Sequence, residues 1–124
     1  MRAYSGHLDT FARDNLPPRD QWPELIFELP ELQFDERLNC ATELLDRAVA
    51  DGRAERAALR TAASVWTYRE LRDRANRVAH VLVEDMGLVP GNRVLLHAPN
   101  NPMLAVCWFA VLKAGGIPLP TMQL

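Results

Sequence analysis

The chain has 124 residues, 48% hydrophobic and 24% charged, with a formal net charge of -2. That is enough chain for one domain with its own core, in the proportions of a soluble globular protein. The charge balance gives no reason to expect nucleic acid or an anionic membrane as partner, and the longest apolar run, Met103 to Leu112, falls far short of the roughly 18 residues a membrane span needs.

The opening "MRAYSGHLDTFARDN" lacks the apolar core of a signal peptide, so the expected compartment is the cytoplasm. Cys40 and Cys107 are isolated and are then expected as free thiols. Residues 1–38 read differently from the rest. Pro17, Pro18, Pro23 and Pro30 forbid a long helix and favour extended segments. Trp22, Leu25, Ile26, Phe27, Leu29, Leu32 and Phe34 nevertheless make this stretch too apolar for a disordered tail. An extended arm across the surface of a larger body satisfies both facts; a free recognition peptide is the alternative.

Residues 39–124 carry the regular pattern. Asn39 is placed to cap a helix in which Leu38, Ala41, Leu44, Leu45, Ala48 and Val49 recur at helical spacing, with Gly52 as its stop. "AALRT" and "SVWTY" read as the two strands of a hairpin. "TYRE" sets Thr67 at an N-cap with Glu70 three residues on, a capping box. The helix it opens has an apolar face of Leu71, Ala75, Val78, Ala79, Leu82, Val83 and Met86, closed by Gly87. Its opposite face carries Arg69, Arg72, Asp73, Arg74 and Arg77. With acids interspersed, this reads as a solvated face rather than a phosphate site.

"VPGNRVLLHAP" supplies a turn at Pro90-Gly91 and a strand through Val94, Leu95 and Leu96. Asn101 then caps a helix with Pro102 at its first position, ending near Ala114 ahead of Gly115 and Gly116, and "IPLP" is the next strand. Strand, helix, strand at this spacing predicts a βαβ unit with parallel strands, the start of a layered α/β sheet.

Every residue from Met103 to Leu112 is apolar, so this helix needs cover on all sides. Each large side chain left bare forgoes about 1.5–3 kcal/mol, and several of them approach the ~5–15 kcal/mol stability of a whole domain. Two strands and two amphipathic helices cannot wrap it. The expectation is therefore an incomplete fragment that needs either a continuation or a second copy, with homo-oligomerisation through the apolar helix or an edge strand.

No catalytic constellation stands out. Neither G-x-x-x-x-G-K-[ST] nor G-x-G-x-x-G occurs. In "KAGG", Lys113 precedes the glycines, so Gly115 and Gly116 read as a helix stop and a close backbone approach. His7, His80 and His97 lack metal-ligand spacing. His97 falls near the carboxyl end of a strand, where open α/β sheets place ligands, yet a hydrogen-bonded structural role is expected for it. Cys107 reads as an inert core cysteine, and Ser5 and Ser64 lack a nucleophile-elbow context.

Two stretches are informative as a pair. "WTYREL" (Trp66 to Leu71) followed by "VLKAGGIPLPT" (Val111 to Thr121) resembles the first two core motifs of the adenylate-forming superfamily: acyl-CoA synthetases, adenylation domains of peptide synthetases, and luciferases. "GLVPGNRVLLHAPNNPMLAVCWFAVLKAGG" between them is similar to the family's linking sequence. "LNCATELLDRAVADGRAERAALRT" resembles the start of the benzoate-CoA ligase branch, and "HLDTFARDNLPPRDQWPEL" the arm of 2-aminobenzoate-CoA ligases within it.

The resemblance implies that the parent enzyme adenylates an aromatic carboxylate with ATP and magnesium, after which the thiol of coenzyme A displaces AMP. It also implies that residues 39–124 open the large AMP-binding domain. The family's phosphate loop, adenine- and magnesium-linked motifs, ribose-binding aspartate, hinge and catalytic lysine match no position here. No catalytic, cofactor-binding or metal residue is therefore assigned; His97 and Asn100 are noted only as near a cleft. The expected fragment is inactive by itself. The rival expectations are a stand-alone interaction or dimerisation module and, less suited to the glycine pattern, a small Rossmann-type domain.

Overall fold

The computed structural model describes residues 6–35 and 37–121. Residues 6–35 contain one helical turn, α1 (Phe11–Asp14), and two 3-10 turns, Arg19–Gln21 and Pro30–Leu32, separated by extended chain. From Arg13 to Asp35 every residue is exposed. The prolines do forbid a long helix, and these short turns interrupt the extended segments between them.

A π-helical segment follows, with turns Thr42–Asp46 and Val49–Arg53. Asn39 caps it as expected: its Oδ1 accepts from Ala41 N (3.0 Å) and Thr42 N (3.3 Å). Gly52 ends it at φ 80°, a left-handed conformation that glycine adopts without steric cost. Ala41, Leu45 and Ala48 are buried, whereas Leu38 and Leu44 are exposed. The buried stripe is thus the i, i+4, i+7 set, narrower than the sequence pattern suggests.

Strands β1 (Ala57–Arg60) and β2 (Val65–Thr67) form the expected antiparallel hairpin, with Ala58 bulged between the pairs Ala57–Thr67 and Leu59–Trp66. Helix α2 (Tyr68–His80) starts from the predicted capping box. Thr67 Oγ1 accepts from Glu70 N (3.2 Å), and Glu70 Oε2 accepts from Thr67 N (2.8 Å). A π-type turn, Val81–Asp85, prolongs the helix to Gly87 at φ 66°. Leu71 and Ala75 are buried, but Val83 and Met86 are exposed, because the widened last turn carries them off the apolar face.

Strand β3 (Arg93–His97), helix α3 (Pro102–Lys113) and strand β4 (Ile117–Thr121) make the βαβ unit. β3 and β4 pair in parallel, in unbroken register from Arg93–Ile117 to His97–Thr121. Asn101 Oδ1 accepts from Leu104 N (3.1 Å), with Pro102 at the first position of α3. Among the described residues the two sheets have two strands each. The core lies between the helices: Leu45, Leu71, Ala75, Val106 and Ala110 form one buried cluster, with Ala75 and Ala110 small enough to let α2 and α3 approach closely.

Candidate functional site

Helix α3 buries Val106, Ala110 and Val111 and leaves Met103 exposed; its other side chains are only half covered. Beside them runs a groove of about 560 Å³, between the end of β1, α3 and Pro120 of β4. Leu104, Trp108 and Phe109 form its apolar wall, and Arg60, Asn100 and Asn101 its polar rim. Trp108 and Phe109 meet edge to face, with ring centroids 5.1 Å apart and planes at 82°. The groove opens where β4 reaches its carboxyl end, the side on which open α/β sheets hold ligands. An apolar wall, two aromatic rings and a guanidinium suit a flat, apolar anion.

Asn100 reaches this groove, and His97 does not line it. His97 Nδ1 instead lies 3.0 Å from Thr121 Oγ1, across the last register pair of the parallel strands. It is the hydrogen-bonded histidine expected of it. Lys113 is held by Asp46, and a Cβ on Gly115 would stand 3.0 Å from Pro90 Cβ, so the glycine pair closes the helix and admits a neighbouring backbone. Gly116 is as tight against Val111. Cys107 is half-buried rather than a core residue, and Cys40 is exposed; both are free thiols. Ser5 lies outside the described residues.

Three of the arginines on the polar face of α2 make structural contacts. Arg69 pairs with Glu55 (2.6 Å), Arg72 with Asp73 (2.8 Å), and Arg74 stacks 4.2 Å from the Trp66 ring centre. Hydrogen bonding to Glu55 raises the Arg69 pKa above its ordinary value. Among the described residues no group of three His, Cys, Asp or Glu side chains is placed to hold a metal ion. The groove offers one guanidinium, no acidic cluster and no glycine cradle. Its residues do not fit a magnesium-bound triphosphate. Arg60 and Thr61 belong to the rim only because the hairpin folds beside α3, and no spacing in the sequence announces that.

The family model described as AMP-binding enzyme matches residues 45–123. The chain belongs to the AMP-binding enzyme family. The salicyl-AMP ligase / salicyl-S-ArCP synthetase of Mycobacterium tuberculosis is 49% identical over 53 residues, 43% of this chain and 9% of that protein. The 3-hydroxybenzoate–CoA/4-hydroxybenzoate–CoA ligase of Thauera aromatica is 32% identical over 87 residues, 70% of this chain and 16% of that protein. Among solved structures, a benzoate CoA ligase from Burkholderia xenovorans LB400 superposes with a TM-score of 0.60 at 30% identity, over 68% of this chain and 17% of that one. The chain thus spans less than a fifth of each of these relatives. Its mixed α/β architecture is that of the adenylate-forming enzymes, as the motif pair implied. Among the described residues no helix is long and apolar enough to cross a membrane.

Proposed function

We propose that this chain is part of a cytoplasmic aryl-CoA ligase, the enzyme joining an aromatic carboxylate such as benzoate or 2-aminobenzoate to coenzyme A through an acyl-adenylate, with ATP and magnesium. Residues 39–124 contribute to the AMP-binding large domain, and residues 1–38 are an arm laid on it. The observation that carries this reading is the likeness to the hydroxybenzoate–CoA ligase over 70% of the chain. The groove beside Trp108 and Phe109 is consistent with it as a surface of the large domain.

The chemistry has a plain physical rationale. A carboxylate oxygen is a poor leaving group; adenylation converts it into a good one, and charge-stabilising groups around the phosphates carry the developing charge. In this reading residues 39–124 scaffold the large domain, and none of them is assigned a step of the reaction. A second copy seated on the bare side of α3 or along the outer edge of β4 is the assembly we assign to the chain alone, since an unpaired strand edge readily accepts another strand.

The test is carboxylate-dependent exchange of pyrophosphate into ATP by the whole enzyme, with benzoate, 2-aminobenzoate and an aliphatic acid, followed by thioester formation with coenzyme A. Exchange and thioester with the aromatic acids bear the proposal out. Exchange without thioester on coenzyme A moves the acceptor to another thiol, as the relative named for salicyl-S-ArCP formation suggests. Exchange with the aliphatic acid alone overturns the aromatic substrate.

A further inference from the structure

The end of the βαβ unit opposite the groove is where the amino-terminal stretch is fastened. Leu8 N and Asp9 N both donate to Pro90 O, at 3.0 and 2.9 Å. Asp9 Oδ2 accepts from Asn92 Nδ2 (2.9 Å) and Arg93 Nη1 (2.6 Å), while its Oδ1 accepts from Phe11 N (3.0 Å). The Arg93 guanidinium also lies 4.6 Å from the centre of the Phe11 ring. The turn that receives them is itself locked to the sheet, because Gly91 N donates to Gly115 O (2.8 Å) and Ile117 N to Asn92 O (2.8 Å).

Contact there is too close for any side chain on the turn. Gly91 sits at φ 95°, and a Cβ on it would stand 2.0 Å from Asp9 O. The far end of the same stretch returns to the same place: Asn39 Nδ2 donates to Leu112 O (2.8 Å), at the last turn of α3. His7 and Asn39 line one small hollow together with Pro90 and Gly115. Between these two fastenings, residues 13–35 are exposed throughout.

We propose that residues 10–35 form a strap pinned on one side to the turn before β3 and on the other to the last turn of α3, with Asp9 as the releasable pin and Asn39 as the fixed one. The difference lies in how each end is held. Asn39 belongs to the cap of the π-helical segment, whose Leu45 is in the core, so opening it disturbs the body. Asp9 holds only the turn, through one carboxylate that gathers three donors from two parts of the chain. Losing that carboxylate leaves the Leu8 and Asp9 amides on Pro90 O as the remaining hold, loosens the start of the strap, and leaves the core unaltered. Asp9 is thus a positioning residue: it fixes the start of the strap, through Phe11, against the turn before β3.

Amide hydrogen exchange on the full chain tests this. Asp9→Ala should accelerate exchange of the Leu8 and Phe11 amides by about tenfold or more, since a charge-assisted acceptor is lost, while Val106 to Ala110 exchange as before. Gly91→Ala should do the same with Asp9 intact, by expelling residues 7–9 from the turn. Asp9→Asn, which keeps the shape, serves if the alanine variant folds poorly. Pairing Asp9→Arg with Arg93→Asp should recover part of the protection. Unchanged rates at Leu8 and Phe11, or equal acceleration throughout α3, would overturn the proposal.

Discussion

Lys113 Nζ lies 2.5 and 2.6 Å from the two carboxylate oxygens of Asp46, joining the last turn of α3 to the π-helical segment 67 residues earlier. The pair is neither fully buried nor free in solvent, with side-chain exposures of 15% and 32%. It therefore belongs between surface ion pairs, worth about 0–1 kcal/mol, and buried ones, where removing a single partner costs about 3–5 kcal/mol. Lys113→Met should lower unfolding stability by about 1–2 kcal/mol, and Asp46→Asn by a similar amount. A double-mutant cycle in urea should return a coupling of about 1 kcal/mol. Strictly additive losses would show that the two side chains act separately.

Two adjacent leucines make a sharper comparison. Leu45 is fully buried among Leu71, Ala75, Val106 and Ala110, whereas Leu44 is 56% exposed. Leu45→Ala should cost about 2–5 kcal/mol, the transfer term plus the cavity left behind. Leu44→Ala should stay within about 0.5 kcal/mol. Chemical denaturation of both variants decides it, and equal losses would place both side chains in the core.

The leucine pair also marks how far sequence reasoning reaches. Caps, stops and strand order were legible because each rests on a local rule: Asn39, Thr67 and Asn101 bond backbone amides two or three residues away. Gly52, Gly87 and Gly115 all adopt the positive φ that favours glycine after a helix. Parallel pairing of β3 and β4 followed from the length of the crossover. Leu44, Val83 and Met86 were misplaced because π-type turns rotate residues off a 3.6-residue stripe, and no residue type signals that widening. The groove rim and the Asp9 pin join positions far apart in the chain, Asp9 and Arg93 by 84 residues, and long-range contacts of that kind leave no periodic trace.

The capping box gives a prediction that rests on local chemistry alone. Thr67→Ala removes the acceptor for Glu70 N and should cost about 1 kcal/mol, while Thr67→Ser should be close to neutral. Glu70→Ala should lose less, because water can replace its carboxylate as acceptor for the Thr67 N–H at this exposed helix end. Thermal melts of the three variants check it, with Thr67→Ala expected to melt lowest. A serine variant as weak as the alanine one would mean that the threonine methyl, and not its hydroxyl, matters.

Asp9 supplies the pH dependence. The Phe11 amide, then Asn92 and Arg93, hold its carboxyl below the ordinary value of 3.8. Arg93 faces it directly, and His7 stands two residues away against Gly91. A depressed folded pKa means that the carboxylate's contribution is complete above the unfolded value and is lost as pH falls through the lower, folded one. The strap should stay pinned down to about pH 4 and loosen only in stronger acid. Carboxyl carbon NMR should show Asp9 titrating below its usual range, and Asn92→Ala should move the midpoint up. An ordinary midpoint in the wild type would remove the basis for this dependence.

The bare side of α3 yields the last prediction. Trp108 rests edge-on against Phe109 and lines the groove, while Val106, Ala110 and Val111 hold the other side of the helix in the core. A charge on the groove side is tolerable in a monomer, where water reaches it, but not under a second copy, where it would be desolvated without a partner. The isolated chain should sediment as a dimer or larger species at micromolar concentration. Trp108→Asp should shift it to monomer while circular dichroism still reports the helices. A wild type that sediments cleanly as a monomer would show that the groove is stable in water, and the assembly assigned to this face would have to be withdrawn.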